Sequence, residues 1–301
     1  MVSLKKASEF DKMQYEIGRV SLLGNRKNNQ DRLGVAESHG GIVLILGDGL
    51  GGKPGGELAA ETLIKSVQHS LQHEIMPVDE PEELLKKLII KAHYAVRSAG
   101  QKQEPPIEPG STAVLCLVQN KKAWWAHVGD SRFYFFRDGL PIYRTQDDSY
   151  VEHLYQKGKI SLEKRDGHPM RNYVTQCIGL MEKEPEVTVS KGIDLQTGDT
   201  LLLCSDGFWE PLDDAQIGAN LVDSGIKDAI SKLAARAEQS SYPKSDNTTV
   251  LAMKITSMQD LNKTTQKSNH KNISKNHESP LDGAIQEIED TFNYYKDEMD
   301  D

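Results

Sequence analysis

Long apolar runs are missing from this sequence, and their absence excludes one class of protein. No uninterrupted apolar stretch approaches the roughly 18 residues that a helix needs to cross a bilayer. The segment Met1–Gln14 is too charged to supply the apolar region of a signal peptide. We therefore expect a soluble cytoplasmic protein that makes no contact with a membrane.

Cysteine and basic residues are also scarce. The three cysteines, Cys116, Cys177 and Cys204, lack the paired spacing of zinc ligands, so we expect buried free thiols. The 36 lysines and arginines are outnumbered by 45 acidic residues, which gives a net charge of −9. This balance argues against general nucleic-acid binding, which needs a basic face, but it is compatible with a phosphorylated protein as substrate.

The apolar residues that are present predict a mixture of strands and helices. They form 37% of the 301 residues, enough to bury a sizeable core. Because several strands follow one another with only a turn between, as at Asp138-Gly139, the pattern favours an antiparallel sheet with helices on its faces. The predicted strands are Ile42–Leu46, Thr112–Val118, Ala123–Val128, Phe133–Phe136, Thr200–Cys204 and Thr248–Ile255, and the predicted helices are Glu57–Leu71, Pro81–Val96 and Lys227–Glu238.

A glycine-rich loop, LILGDGLGGKPGGE at residues 44–57, fits parts of two nucleotide-binding patterns. A P-loop needs Ser or Thr after its lysine, whereas Pro54 follows Lys53 here and offers neither a hydroxyl nor an N–H group. A lone G-x-G-x-x-G is a weak dinucleotide signal, and the order of elements does not resemble repeated β-α-β units. Neither pattern explains the aspartate in the middle of the loop.

That aspartate belongs to a recurring arrangement. An apolar strand runs into Asp48-Gly49, and a second one runs into Asp206-Gly207. Strand ends can bring carboxylates together from distant parts of a chain, and the adjacent glycines allow close approach of a backbone or ligand. Such a cluster without His or Cys suits magnesium, manganese or calcium. Similar settings hold Asp130, Asp246 and Asp31.

Seven motifs taken in chain order resemble the bacterial branch of the metal-dependent serine/threonine phosphatases, the protein phosphatase 2C family. The resemblance extends from about Glu16 to Ile255. It implies an α+β fold, a four-layer α-β-β-α sandwich of two antiparallel sheets flanked by helices, with a binuclear metal centre between the sheets. The motifs are NRKNNQDR, LGDGLGGKPGGE, PGSTAVL, HVGDSRFYFFRDG, HPMRN, CSDGFWE and SDNTTV.

The resemblance also implies a metal-ligand set. Asp48 would bridge two Mn²⁺ or Mg²⁺ ions, and Gly49 would offer its carbonyl group. Asp206 and Asp246 would complete one metal, while Asp31 would support the other, directly or through water. Two cations joined by a carboxylate activate water for in-line attack on phosphorus without a covalent phosphoenzyme.

Further roles follow from the same resemblance. Asp130 would bind a third, weaker metal, and Arg26 would clamp phosphate because a guanidinium presents paired donors. The family often has an acid where Gln30 stands, and its bacterial members commonly carry histidine where Lys53 stands. The group that protonates the leaving oxygen is not revealed by the sequence; His168 is a candidate, but a structural role suits it better.

The implied function is hydrolysis of phosphoserine and phosphothreonine on proteins, opposing a bacterial Ser/Thr kinase in signalling. The alternative is a catalytically weak regulatory protein that uses the same fold to bind a partner. Loss of the metal-site aspartates would mark that alternative, and all of those expected are present. The segment 149–168 resembles the mobile flap beside the cleft, and we expect a monomer.

The C-terminal part divides from the phosphatase domain, which we assign to residues 1–257. Residues 258–280 have the composition of a flexible polar linker, and residues 281–301 form an acidic amphipathic segment. Two readings of this segment stay open, a disordered acidic tail and a helix that docks on the phosphatase domain or on a partner. A single helical stripe would contain Leu281, Ile285, Ile288, Phe292, Tyr295 and Met299.

Truncation after Ile255 tests whether the tail takes part in chemistry. Because every predicted site residue precedes it, the truncated protein should hydrolyse a small aryl phosphate within about threefold of the full-length rate, under roughly 1 kcal/mol. Steady-state kinetics on both proteins measure this ratio. A much larger loss would contradict the proposed division.

Overall fold

The computed structural model describes residues 13–51, 55–180, 182–222 and 224–258. Its strands are β1 (Met13–Leu22), β2 (Asp31–Ser38), β3 (Gly41–Asp48), β4 (Ala113–Gln119), β5 (Lys122–Val128), β6 (Arg132–Arg137), β7 (Leu140–Arg144), β8 (Thr188–Val189), β9 (Ile193–Asp194), β10 (Thr200–Cys204) and β11 (Thr248–Met258). Its helices are α1 (Gly56–Leu71), α2 (Pro81–Gln101), α3 (Tyr150–Gln156), α4 (Leu162–Asp166), α5 (Asp206–Trp209), α6 (Asp214–Asn220) and α7 (Ile226–Ser241).

The strands form two sheets in which neighbouring strands run antiparallel. The first sheet has the order β1-β11-β10-β6-β7, and the second has the order β2-β3-β4-β5-β8, with β9 also paired to β5. The chain crosses from the second sheet to the first between β5 and β6, through Gly129–Ser131. This crossover carries Asp130 to the junction of the two sheets.

Successive apolar side chains of a strand point to opposite faces of its sheet, and this explains the layering. In β3, Ile42, Leu44 and Leu46 face the core between the sheets, where they meet side chains of β6, β10 and β11. The intervening Val43 and Ile45 pack instead under α1 and α2. Successive side chains of a strand point to opposite faces, so a strand that is apolar at every position must be covered on both sides. The second sheet therefore has one face on the first sheet and one face under helices.

The first sheet is covered in the same manner. Its outward residues, such as Tyr134, Leu202 and Val250, pack against α5, α6 and α7. The four layers are helices, sheet, sheet and helices, which confirms the predicted α-β-β-α sandwich. The three helices predicted from periodicity are present as α1, α2 and α7, and α2 continues five residues beyond Val96 to Gln101.

Two strands near the start of the chain were not predicted. Strand β1 alternates buried or half-buried residues with exposed polar ones and lies at a sheet edge, so it contains no continuous apolar run. Strand β2 also lies at a sheet edge, and its eight residues include charged and small ones. Both strands are recognisable only from their pairing with β11 and β3.

The segment predicted as a polar flap contains two short helices, α3 and α4. The hydroxyl of Ser149 caps the first of them by accepting a hydrogen bond from the N–H of Glu152 at 3.3 Å. The Ser-x-x-Glu pattern of a capping box was therefore present in the sequence. Hydrogen bonding ties the base of this segment down, because Tyr150 N–H donates to the carbonyl of Tyr173 at 2.9 Å.

Strand β11 extends beyond the predicted Ile255 to Met258, and its last residues pair with Gln14 and Met13 of β1. A chain that keeps this strand whole must therefore continue to Met258. The predicted linker after Met258 and the acidic segment 281–301 lie outside the described residues and remain predictions. All three cysteines are buried and form no disulfide, as predicted.

No helix among residues 13–51, 55–180, 182–222 and 224–258 has the length and apolar character needed to cross a membrane. A cytoplasmic location remains a prediction.

Candidate metal centre

Asp48 lies at the last position of β3, directly opposite Asp31 at the first position of β2. The backbone of Asp48 is held on the other side by the segment that leads into β4. Its N–H donates to Thr112 Oγ1 at 2.9 Å, and its carbonyl accepts from Ser111 Oγ at 2.9 Å and from Thr112 N–H at 2.8 Å. The side chain of Asp48 is thus aimed by a fully bonded backbone.

The glycines after Asp48 and Asp206 are required by close backbone contacts. A Cβ atom on Gly49 would lie 2.3 Å from the carbonyl oxygen of Gly56 at the start of α1. A Cβ atom on Gly207 would lie 2.2 Å from the carbonyl oxygen of Asn247. No side chain fits at such distances, so each Asp-Gly pair depends on glycine for the approach of a second segment.

Asn247 joins the loop before β11 to the loop between β1 and β2. Its Oδ1 accepts from the N–H of Gln30 at 2.8 Å, and its Nδ2 donates to the carbonyl groups of Leu23 at 2.8 Å and Asn28 at 3.1 Å. The N–H of Asn25 adds a bond to the carbonyl of Ser245 at 3.0 Å. These bonds fix the loop that carries Arg26 next to the loop that carries Asp246.

The predicted residues converge on one cleft of about 450 Å³. Four of the five predicted aspartates line it, and they arrive from the ends of different strands. Gly49 and Arg26 line it as well, together with Gln30, whose participation the sequence left open. The complete lining is Arg26, Lys27, Asn28, Gln30, Asp48, Gly49, Leu50, Gly51, Thr112, Asp130, Asn172, Val174, Asp206, Asp246 and Asn247.

Asp31 is the exception, because it does not line the cleft. It is only 2% exposed, and its Oδ2 accepts a hydrogen bond from Ser205 Oγ at 2.7 Å. Its Oδ1 is buried and has no hydrogen-bond partner among the described residues. A buried carboxylate oxygen without a hydrogen-bond donor destabilises the fold unless a cation lies near it. The position suits support of the site from behind Asp48.

Burial and mutual repulsion dominate the electrostatics of the two Asp-Gly aspartates. Burial, followed by the charges of Asp31 and Asp206, holds the pKa of Asp48 well above its ordinary value. Burial, followed by the charges of Asp130 and Asp246, raises the pKa of Asp206 well above its ordinary value. Each carboxylate therefore destabilises the charged form of its neighbours.

The same causes, burial and neighbouring charge, raise the pKa values of Asp130 and Asp31. Burial and the charge of Asp147 raise the pKa of Asp130 to about 7. Burial also raises the pKa of Asp31 to about 6, although the hydrogen bond from Ser205 lowers it in part. A group of acids whose charged forms are so disfavoured gains most from binding a cation.

Arg26 is the guanidinium at the rim of this acidic cleft. Its Nη2 lies 2.5 Å from Asp246 Oδ2, and its side chain is 51% exposed. His168, the candidate general acid, is not among the residues that line the cleft. Its Nδ1 accepts from Met170 N–H at 3.1 Å, and its ring lies 6.2 Å from that of Tyr150.

The donor set fits a hard divalent cation. The cleft offers carboxylate oxygens and the Gly49 backbone, with no His or Cys among its lining residues, which is the chemistry preferred by Mg²⁺ and Mn²⁺. Within the described part of the chain, no three His, Cys, Asp or Glu side chains already form a closed ligand shell. The carboxylates share a cleft and an electrostatic field rather than one preformed coordination sphere.

Comparison with known proteins decides the family. The family model described as protein phosphatase 2C matches residues 20–247. The chain belongs to the protein phosphatase 2C family. The matched range contains every predicted site residue, from Arg26 to Asp246.

Members of the protein phosphatase 2C family resemble this chain in sequence and in fold. Serine/threonine protein phosphatase PstP of Mycobacterium tuberculosis is 32% identical over 234 residues, which are 76% of this chain and 43% of PstP. The chain thus matches less than half of that relative's length. The serine/threonine phosphatase of S. agalactiae superposes with a TM-score of 0.74 at 26% identity, covering 80% of this chain and 100% of that one.

A third relative is the catalytic domain of PstP in complex with two manganese ions. It superposes with a TM-score of 0.66 at 27% identity and covers 81% of this chain and 99% of that one. The catalytic domain of PstP, at this degree of similarity, therefore holds two manganese ions.

Sequence reasoning missed the residues that hold the ligands in place. Ser205 and Asn247 were inside quoted motifs, yet only their partners reveal what they do. Ser205 Oγ also accepts from Thr249 N–H at 3.0 Å, which links Asp31 to β11. Thr112 Oγ1 lies 2.7 Å from Ser131 Oγ, next to Asp130. In the sequence, a hydroxyl or amide residue stands beside several of the aspartates. This pattern is weak evidence for a supporting role until the fold shows the partners.

The repulsion within the cleft makes a stability prediction for Asp48→Asn. In excess chelator at pH 8 this change should raise the free energy of unfolding, because it removes a carboxylate whose charged form is disfavoured by burial and by the charges of Asp31 and Asp206. Since the folded-state pKa is raised, the penalty is full above that pKa and fades as the pH falls from it towards the lower pKa of the unfolded state. The gain should therefore shrink towards pH 5, below the values of about 6 and 7 for Asp31 and Asp130.

Urea unfolding at both pH values measures the effect. Asp194→Asn is the matched control, because the Asp194 side chain is 81% exposed and lies outside the cleft. A destabilised Asp48→Asn protein at pH 8 would contradict the repulsion argument.

Proposed function

We propose that this chain hydrolyses phosphoserine and phosphothreonine on proteins in a metal-dependent reaction. The observation that carries the proposal is the convergence of Asp48, Asp130, Asp206 and Asp246 on one cleft that also contains Arg26. Family membership implies metal-dependent dephosphorylation, and relatives of similar fold are serine/threonine phosphatases. The substrates are proteins phosphorylated by a Ser/Thr kinase.

The chain's own carboxylates would hold two cations, Mn²⁺ or Mg²⁺, with a third at Asp130. Asp48, Asp206 and Asp246 would hold this pair, and Asp31 would support it directly or through water. The chemistry that these cations supply when bound is the activation of water and the neutralisation of charge on phosphoryl oxygens. The manganese complex of PstP supports this assignment.

The remaining groups bind and orient the phosphate ester. Arg26 offers paired N–H donors to two phosphate oxygens, and the anchored loop keeps it at the mouth of the cleft. Lys27 adds positive charge to the same wall. A dianionic phosphate that enters this site exchanges water for fixed donors, which favours the charge developing in the transition state.

The alternative, a regulatory protein without strong catalysis, has no specific observation in its favour. That role would tolerate loss of the carboxylates, yet all five predicted aspartates are present. The backbone of Asp48 is anchored by Thr112, and the carboxylate of Asp31 accepts a hydrogen bond from Ser205.

The function predicts hydrolysis of a phosphothreonine peptide only when manganese or magnesium is added. Asp206→Asn should lower turnover by orders of magnitude while the protein stays folded, because it removes a ligand at a strand end. Phosphate release measures the rates, with Asp194→Asn as the control that keeps the wild-type rate. Full activity in excess chelator would sink the proposal.

The phosphate clamp makes a separate prediction for Arg26→Lys. The ammonium keeps the charge but loses the bidentate geometry, so KM for the peptide should rise about tenfold, roughly 1.4 kcal/mol, with a smaller change in kcat. Arg19→Lys, on an exposed face of β1, is the matched control. An unchanged KM in Arg26→Lys would remove the clamp from the mechanism.

A further inference from the structure

Trp209 touches both of the segments that carry Asp206 and Asp130. It is the last residue of α5, a four-residue helix whose first residue is Asp206. Its indole N–H donates a hydrogen bond to the backbone carbonyl of Asp130 at 3.0 Å. One rigid turn of helix thus carries a predicted metal ligand at one end and, at the other, a donor bound to a second predicted ligand.

The indole ring is itself fixed. The guanidinium carbon of Arg132 lies over the ring, 3.3 Å from its centroid, which is a close cation–π contact. Arg132 is held in turn by two bonds of 2.8 Å to the carboxylate of Asp147 and one of 3.1 Å to the hydroxyl of Tyr134. Because Arg132 is only 3% exposed, this contact is made away from solvent and holds the indole ring at one angle.

The two aspartates reach the cleft by different routes. Asp206 follows β10 in the first sheet, whereas Asp130 lies on the crossover from β5 in the second sheet to β6 in the first. Both carboxylates line the cleft, and the charge of Asp130 raises the pKa of Asp206. Like charges in a desolvated cleft would move apart if their backbones were free to yield.

We propose that Trp209 is a positioning residue that sets the separation of Asp206 and Asp130 through its indole N–H. The role rests on the proposed function only in that these carboxylates hold divalent cations. Outer partners of metal ligands commonly change metal affinity by 10- to 100-fold. Trp209 acts through a ligand's backbone carbonyl, so the lower end of that range is expected.

Two substitutions separate the N–H donor from the bulk of the ring. Trp209→Phe keeps an aromatic ring over Arg132 but has no donor. Trp209→His keeps an N–H at the equivalent position, since imidazole Nε2 and indole Nε1 stand equally far along the five-membered ring. Trp124→Phe is the matched control, because Trp124 packs under the helices of the second sheet and not at the cleft.

Calorimetric titration with manganese at pH 7.5 measures the effect without turnover. Trp209→Phe should raise the dissociation constant of the weakest ion about tenfold, while Trp209→His and Trp124→Phe stay within about threefold of the unsubstituted protein. Unchanged affinity in Trp209→Phe would overturn the inference. Equal weakening in Trp209→Phe and Trp209→His would also overturn it, because ring bulk would then be responsible.

A second measurement uses the intact indole. The chain has three tryptophans, so their indole N–H resonances can be assigned in ¹⁵N-labelled protein. Magnesium should shift the Trp209 resonance more than that of Trp124, and no shift would overturn the positioning role. Absence of manganese binding by the unsubstituted protein would overturn it too. Intact manganese binding without peptide hydrolysis would instead overturn the proposed function alone.

Discussion

Repulsion among carboxylates in a desolvated cleft is the constraint on which the rest of this structure depends. Burial raises the pKa of Asp48, Asp206 and Asp130. The charges of Asp206 and Asp130 raise the pKa of Asp48 further, and the charge of Asp130 raises that of Asp206. An unsupported group of this kind would separate or take up protons. The cleft is therefore a strained feature, and such strain is characteristic of functional sites.

The fold opposes this repulsion with backbone anchors in addition to the ion pair of Arg26 with Asp246. Each aspartate stands at the end of a strand, or on a short connection, whose N–H and carbonyl groups are bonded elsewhere. Thr112 holds Asp48, Asn247 holds the loop before Asp31, and Trp209 holds Asp130. Arg26 is the one guanidinium that lines the cleft in the described chain, and it stands at the mouth. A bound dianion could therefore engage it without crossing the carboxylates.

The sandwich supplies the geometry that these anchors need. Strands β3 and β10 belong to different sheets, yet both end at the cleft. Glycines 49 and 207 then let a second backbone pass within a distance that no side chain would permit. Close backbone approach across the sheet junction therefore fixes the positions of the carboxylates that line the cleft.

Much of this was readable in the chain. Alternation and continuous apolar runs predicted the buried strands, and strand–Asp–Gly repeats singled out Asp48 and Asp206. The edge strands β1 and β2 were not predicted, because polar and small residues interrupt their apolar pattern and only their pairing with β11 and β3 defines them. Asp31, predicted to support a metal directly or through water, is absent from the cleft lining, since its register opposite Asp48 buries it against Ser205.

The amino-acid sequence by itself determined the family, the layered architecture and the chemical type of the site, because residue identity and period are local properties. Only the tertiary structure decided which aspartates face the cleft and what restrains them. Those outcomes depend on contacts between residues far apart in the chain, such as Trp209 with Asp130 and Asn247 with Gln30. The distances of about 3 Å between such groups depend on how the two sheets pack. A local sequence pattern does not predict that packing.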